Sequence, residues 1–346
     1  MRPDLFLDGL AFALLGGAIQ GAMLLPLKYN RQWSWENSWL GFSTVAYLVA
    51  PWILAVVTVP HLVQVLSGGK PRILALTFCL GIGWGVGNLL FGLGVAILGM
   101  GLGYTIIMGL TVSAGTLVPL AALAPEEMLA RRGLVMITGV VAIVAGTAIC
   151  SYAGRLREKK LGLATPLKEA MIQRPFVQGF GVCIAAGILA PAGNLALAFG
   201  SEIQRRAAAL GTSTFGSVNA LWAIVTLPLF LCSAIYALVL LRRNRTFERY
   251  RRAGTSHYWL LAAIAGVAQM AGIAVYGLGA ADLGRLGPSI GFPLLMSSMI
   301  VVANVLGLLG GEWKGAGHRS MTVMAAGLAV LLGAMVLIGY GNRPSA

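Results

Sequence analysis

Residues 91–99 read FGLGVAILG, and residues 276–284 read YGLGAADLG. At the constant offset of 185 that carries residue 91 to residue 276, six of the nine positions are identical. Gly92, Leu93, Gly94, Ala96, Leu98 and Gly99 meet Gly277, Leu278, Gly279, Ala281, Leu283 and Gly284. The register continues without a gap, carrying Ser113 to Ser298 and Glu127 to Glu312. Downstream polar pairs at the same register are not a by-product of Gly- and Leu-rich composition, so the two stretches read as copies of one unit.

The chain around them is apolar throughout. Of its 346 residues, 58% are hydrophobic and 10% charged, whereas a soluble domain carries roughly 25% charged residues. Apolar runs of about 20 residues, enough to cross roughly 30 Å of hydrocarbon, recur along it. Ten spans are expected near 5–26, 38–60, 73–98, 103–123, 133–152, 177–200, 217–241, 258–280, 288–309 and 321–341. This is the pattern of an all-α polytopic membrane protein. The first stretch has Asp4 and Asp8 at its start and lacks a small-residue cleavage motif, so it reads as an uncleaved span. Cys79, Cys150, Cys183 and Cys232 all fall inside spans, as packing residues rather than a disulfide or metal framework.

The copies fall on spans 3 and 8. Five spans separate them, and an odd separation gives them opposite orientations in the membrane. The expected architecture is therefore ten transmembrane helices as two inverted five-helix repeats, 1–155 and 177–346, joined by a basic connection at 156–176. Inverted repeats of this kind build secondary transporters, with the solute site between the halves near the midplane. The net charge of +14 fits the same picture. Twelve of the 25 Lys and Arg lie within 155–174 and 242–252, the clustering of cytoplasmic loops beside anionic headgroups rather than of a nucleic-acid surface. Connections after odd-numbered spans hold 16 of the 25, which by the positive-inside rule puts both termini outside.

The polar inventory inside the spans is short. None of the 11 acids lies near a span centre, and His61, His257 and His318 sit at edges or in loops. No HExxH, no paired intramembrane carboxylate and no nucleophile beside a base is present, which argues against an embedded enzyme. A pump built on buried charge is likewise unsupported, and no motif calls for a metal or an organic cofactor. What remains is neutral. Trp84, Asn88 and Phe91 are spaced i, i+4, i+7 and share one helix face. The offset of 185 carries them to Gln269, Ile273 and Tyr276. Gln20 and Asn194 are lone amides at span depth in the first helix of each half. Amides both donate and accept, as sugar hydroxyls do, and aromatic rings cover apolar faces. Gln20, Trp84, Asn88, Phe91, Asn194, Gln269 and Tyr276 are thus the candidate substrate contacts. The competing reading is hydrogen bonding between helices. Thr111, Ser113, Thr116, Ser297, Ser298 and Asn304 form a second tier, since such side chains often bond their own backbone. Pro119 and Pro293 are candidate kinks.

Several stretches resemble a known family. PLKYNRQWSWENSW (26–39), PWILAVVTVP (51–60), WGVGNLLFGLGVAILGMGLG (84–103), GTLVPL (115–120), AGRLREKK (153–160) and EWKGAGHR (312–319) are similar, in this order, to the bacterial L-rhamnose–proton symporters of the drug/metabolite transporter superfamily. The resemblance implies uptake of L-rhamnose or a related neutral deoxysugar across a bacterial-type inner membrane, coupled to protons, by alternating access. Its partners would be the sugar, the proton and the bilayer; the sequence carries no signal of oligomeric state. The alternative within the superfamily is a facilitator or exporter of another small metabolite. Glu36 and Glu312 are the acids inside the family-like motifs and so the candidates for proton coupling; Glu36, among tryptophans, is the stronger. Trp33, Trp35 and Trp39 themselves read as anchors at the membrane–water boundary.

Overall fold

In hydrocarbon a backbone is satisfied only within helices or closed barrels. The computed structural model, which describes residues 3–162 and 176–343, takes the helical solution, with no strand among the described residues. Ten helical segments are long and apolar enough to cross a membrane: spans 1 to 10 at Leu5–Tyr29, Trp35–Thr58, Pro71–Gly99, Gly101–Leu123, Arg131–Leu161, Phe176–Ala209, Thr214–Arg243, Ser256–Asp282, Gly284–Leu309 and His318–Gly341. The connections 30–34, 244–255 and 310–317 lie at one end, called here the basic end.

Two boundaries differ from expectation by about nine residues: span 6 continues to Ala209 rather than 200, and span 5 is longer than expected as well. Span 5 runs as an unbroken helix to Leu161, so Arg155, Arg157, Lys159 and Lys160 ride on its last turns rather than in a loop beginning at 156. Left-handed Gly162 (φ 63°) ends it. The rest of the expected connection, 163–175, lies outside the described residues.

Three local departures from regular helix shape the interior. Spans 3 and 4 are joined at Gly99, whose φ of 82° only glycine adopts freely; Gly284, between spans 8 and 9, has φ 71°. In span 2 a π-helical turn, Thr44–Val49, interrupts the α-helix. Its causes are local. Pro51 has no N–H for the carbonyl of Tyr47, and the Thr44 hydroxyl takes the Leu40 carbonyl at 2.7 Å. Span 6 breaks at Ala190–Pro191, and a new helix, Ala192–Phe199, starts there.

Span 1 packs against spans 8 and 9, span 6 against spans 3 and 4, and span 10 against span 5. Lipid tails are as apolar as leucine, so helices associate in a bilayer through close packing. At the span 1–span 8 contact a Cβ on Gly16 would lie 2.7 Å from the Gly272 carbonyl, and one on Gly272 would lie 2.7 Å from Cγ of Gln20. We expect Gly16→Val to lower unfolding free energy by about 1–3 kcal/mol, the usual cost of overpacking. Gly333→Ala, where a Cβ meets nothing within 4 Å, should leave it unchanged. Thermal denaturation of the purified variants checks both.

Candidate functional site

The structure brings all seven candidate substrate contacts to one cavity of about 290 Å³. Gln20 enters from span 1, Trp84, Asn88 and Phe91 from span 3, Asn194 from span 6, and Gln269 and Tyr276 from span 8. Ile273 also lines it, so the three residues of span 3 and the three at the offset of 185 on span 8 reach the same space. The break in span 6 matters here: it sets Gly193 and Asn194 in the first turn of a new helix facing the cavity. A Cβ on Gly193 would stand 2.6 Å from the Trp84 ring, so glycine is what lets that indole lie against the broken helix.

The amides divide into two kinds. Asn194 is fully committed. Its Nδ2 donates to the Gly115 carbonyl at 2.7 Å and the Pro288 carbonyl at 3.2 Å, and its Oδ1 accepts from the Tyr276 hydroxyl. One side chain thereby ties spans 4, 6, 8 and 9 together, with Phe292 packed against Tyr276 at 6.5 Å between ring centres. Gln20, Asn88 and Gln269, by contrast, make no side-chain hydrogen bond among the described residues, and Gln269 Oε1 is buried without a partner. Leaving the buried Gln269 oxygen unmet costs about 1–3 kcal/mol, and with the half-buried amides of Gln20 and Asn88 on the same cavity the lining suits a polar occupant. Of the second tier only Thr111 lines the cavity. Ser298 donates to the Leu14 carbonyl and Asn304 to that of Ile300, the backbone bonding expected of them.

Aromatic residues that the sequence analysis did not select also line the cavity. Trp39, Tyr47, Tyr104, Trp222 and Phe292 do so, with Met23, Met108, Met296 and Met299. Tyr47, Trp84 and Trp222 form a run of rings at 6.5 and 6.3 Å. The π turn of span 2 contains Tyr47. Asn219, three residues before Trp222 on span 7, donates to Thr58 Oγ1 at 3.2 Å, and its Oδ1 is buried without a partner.

The reading of the three tryptophans as boundary anchors needs correcting. Trp35 alone is well exposed; Trp33 is 5% exposed, and Trp39 reaches the cavity. Trp33 sits edge-on to Tyr250, Tyr258 and Trp259 at 5.0–5.5 Å, pinning the connection between spans 1 and 2 to that between spans 7 and 8. Burial pushes the Tyr250 hydroxyl up to about 12, so at neutral pH it remains the donor to the Asn37 carbonyl at 3.1 Å.

Both candidate coupling acids lie at the basic end, away from the cavity. Glu36 is 5% exposed. Its Oε1 accepts from Asn244 Nδ2 at 3.0 Å and Thr246 Oγ1 at 2.7 Å, across the same junction. The Glu312 carboxylate pairs with Lys28, and Arg157 donates from Nε to the Glu312 carbonyl at 2.7 Å while lying over the Trp313 ring. No acid or histidine lines the cavity, and no cluster of three His, Cys, Asp or Glu fit for a metal occurs among the described residues.

The two hairpins bounding the cavity are held unequally. Ten of residues 273–289 are buried, against two of residues 88–104, Met100 aside. The span 8–9 hairpin is the more buried and is cross-braced by Asn194; the span 3–4 hairpin is the more exposed.

Comparison with known proteins places this geometry in a family. The model of the L-rhamnose-proton symport protein family matches residues 4–343. The L-rhamnose-proton symporter of Escherichia coli strain 55989 is 26% identical over 340 residues, covering 96% of this chain and 97% of its own. Proteins of that name from Shigella boydii serotype 18 and E. coli strain SMS-3-5 are 26% and 27% identical over 354 residues, with the same coverage. A match over nearly the whole chain leaves one conclusion: the chain belongs to the L-rhamnose-proton symport protein family.

Proposed function

We propose that this chain imports L-rhamnose or a related neutral deoxysugar across a bacterial inner membrane, with proton symport, by alternating access between two inverted five-helix repeats. One observation carries the reading: the uncommitted amides of Gln20, Asn88 and Gln269 face an aromatic and methionine-lined cavity that holds no charge. Amides match hydroxyls that donate and accept, while Trp84 and Trp222 cover the apolar face of a pyranose. The thioethers of Met23, Met296 and Met299 offer an adaptable apolar wall, suited to a methyl in place of a hydroxymethyl group. The volume is near the lower end of the roughly 300–1,000 Å³ of ligand pockets, fitting a monosaccharide-sized solute. The names of the relatives support the same class.

Support for the repeats comes from the offset of 185. It relates the cavity residues of span 3 to those of span 8, and Gly99 to Gly284, each with positive φ. In this reading the more buried span 8–9 hairpin and the more exposed span 3–4 hairpin exchange roles as the protein turns over. Coupling falls to Glu36 or Glu312, the acids that join the two halves at the basic end.

Uptake of labelled L-rhamnose into proteoliposomes, with and without an imposed pH gradient, tests the whole. Gradient-driven accumulation is expected. Uptake indifferent to the gradient would leave a facilitator, and no uptake of any deoxysugar would favour a metabolite exporter. Asn88→Ala should raise KM about five- to tenfold, the loss of one or two hydrogen bonds. Asn194→Leu should instead lower thermal stability, because it strands the Tyr276 hydroxyl and two carbonyls. Of Glu36→Gln and Glu312→Gln, at least one should abolish accumulation; wild-type accumulation by both would remove these acids from coupling.

A further inference from the structure

A second cavity, of about 420 Å³, lies at the basic end between the last turns of span 5 and the first turn of span 10. Lys159 and Lys160 wall it on one side, His318 and Arg319 on the other, over Leu156 and Ala316. No acid lines it. Four of the described cations have carboxylate partners, and most have none: Lys28 and Arg157 share Glu312, Lys70 pairs with Glu202, and Arg285 with Glu126. Lys159, Lys160 and Arg319 have none among the described residues.

The cations are not on mobile loops. The two helices that carry them pack backbone to backbone, and a Cβ on Gly327 of span 10 would stand 2.6 Å from Cys150 Sγ of span 5. Their like charges are thus held together by a rigid pair of helices, an arrangement an anion between them would relieve. The flank is apolar. Tyr152, one turn before Leu156 on the same helix face, is 46% exposed, and Met321 on span 10 is 40% exposed. A charged recess opening onto exposed apolar side chains at the end of a spanning helix pair has the polarity of a phospholipid, and basic pockets between membrane helices recognise such headgroups.

We propose that this cavity is a phosphate site that takes the phosphodiester headgroup of an anionic phospholipid. The cations hold the headgroup, and the acyl chains run along Tyr152 and Met321. Free phosphate shares the charge but gains nothing from the apolar flank. The site is separate from the solute cavity and does not depend on the sugar assignment.

The test is thermal denaturation of the purified full-length protein with added dihexanoyl phosphatidylglycerol, dihexanoyl phosphatidylcholine or inorganic phosphate. A ligand that binds only the folded state raises the midpoint in proportion to its occupancy. Phosphatidylglycerol should raise it saturably and phosphatidylcholine should not. The variant Lys159→Gln/Lys160→Gln/Arg319→Gln should need about tenfold or more phosphatidylglycerol for half the effect, since each cation lost weakens attraction to the headgroup. Lys159→Arg/Lys160→Arg/Arg319→Lys, which keeps the charges, should respond like the wild type. An unchanged response in the glutamine variant, or equal responses to the two lipids, would overturn the site. Full reproduction of the effect by inorganic phosphate would overturn the lipid as its occupant.

Discussion

Span 1 reaches spans 8 and 9, and span 6 reaches spans 3 and 4, where glycine removes a side chain from the contact. Gly16 does so against Gly272, and Gly187 against Leu110. In a bilayer no water is expelled when two helices meet, so backbone approach is what holds them. Everything in the interior follows from these approaches. They bring the Asn88 face of span 3 and the Gln269 face of span 8 to one space, and they let the broken helix of span 6 lie on Trp84. A side chain at Gly193 would move the indole, and with it the run of rings that includes Tyr47 and Trp222.

Within that frame, hydrogen bonds decide which polar groups are structural. Asn194, Ser298 and Asn304 are spent on carbonyls or hydroxyls of the protein. Gln20, Asn88 and Gln269 are not. The division is physical, not a matter of residue type: identical amides fall on both sides of it. It also separates two kinds of group, those bracing the span 8–9 hairpin through Asn194 and Tyr276, and the three that the proposed function gives to a hydroxylated solute.

Much of this was legible in the sequence because it rests on periodicity. Ten apolar runs of spanning length, the i, i+4, i+7 face at Trp84, and the offset to Gln269 and Tyr276 are all one-dimensional signals. The aromatic and methionine walls were not, because Trp222 or Met296 looks the same whether it faces lipid or a cavity; only the packing of neighbouring helices distinguishes them. Trp39 was misread for a related reason, since a tryptophan near a span end is as typical of the membrane boundary as of a cavity mouth. Lys159 and Lys160 resembled a loop, since charge ended the apolar run nine residues before the helix itself ended at Leu161. The saturation of Asn194 was invisible too: its partners Gly115 and Pro288 are backbone carbonyls some 80 to 95 residues away, which no side-chain pattern marks.

The central claim, that the sugar sits between span 3 and span 8 against Asn88, is tested most directly by solute protection. Asn88→Cys, in a protein whose four native cysteines are replaced, would be labelled with a membrane-permeant maleimide, with and without L-rhamnose. The account predicts that L-rhamnose slows labelling at this position, while a cysteine at lipid-facing Phe78 labels at an unchanged rate. Labelling of the Asn88 position that ignores saturating L-rhamnose, in a protein that still transports it, would contradict the account.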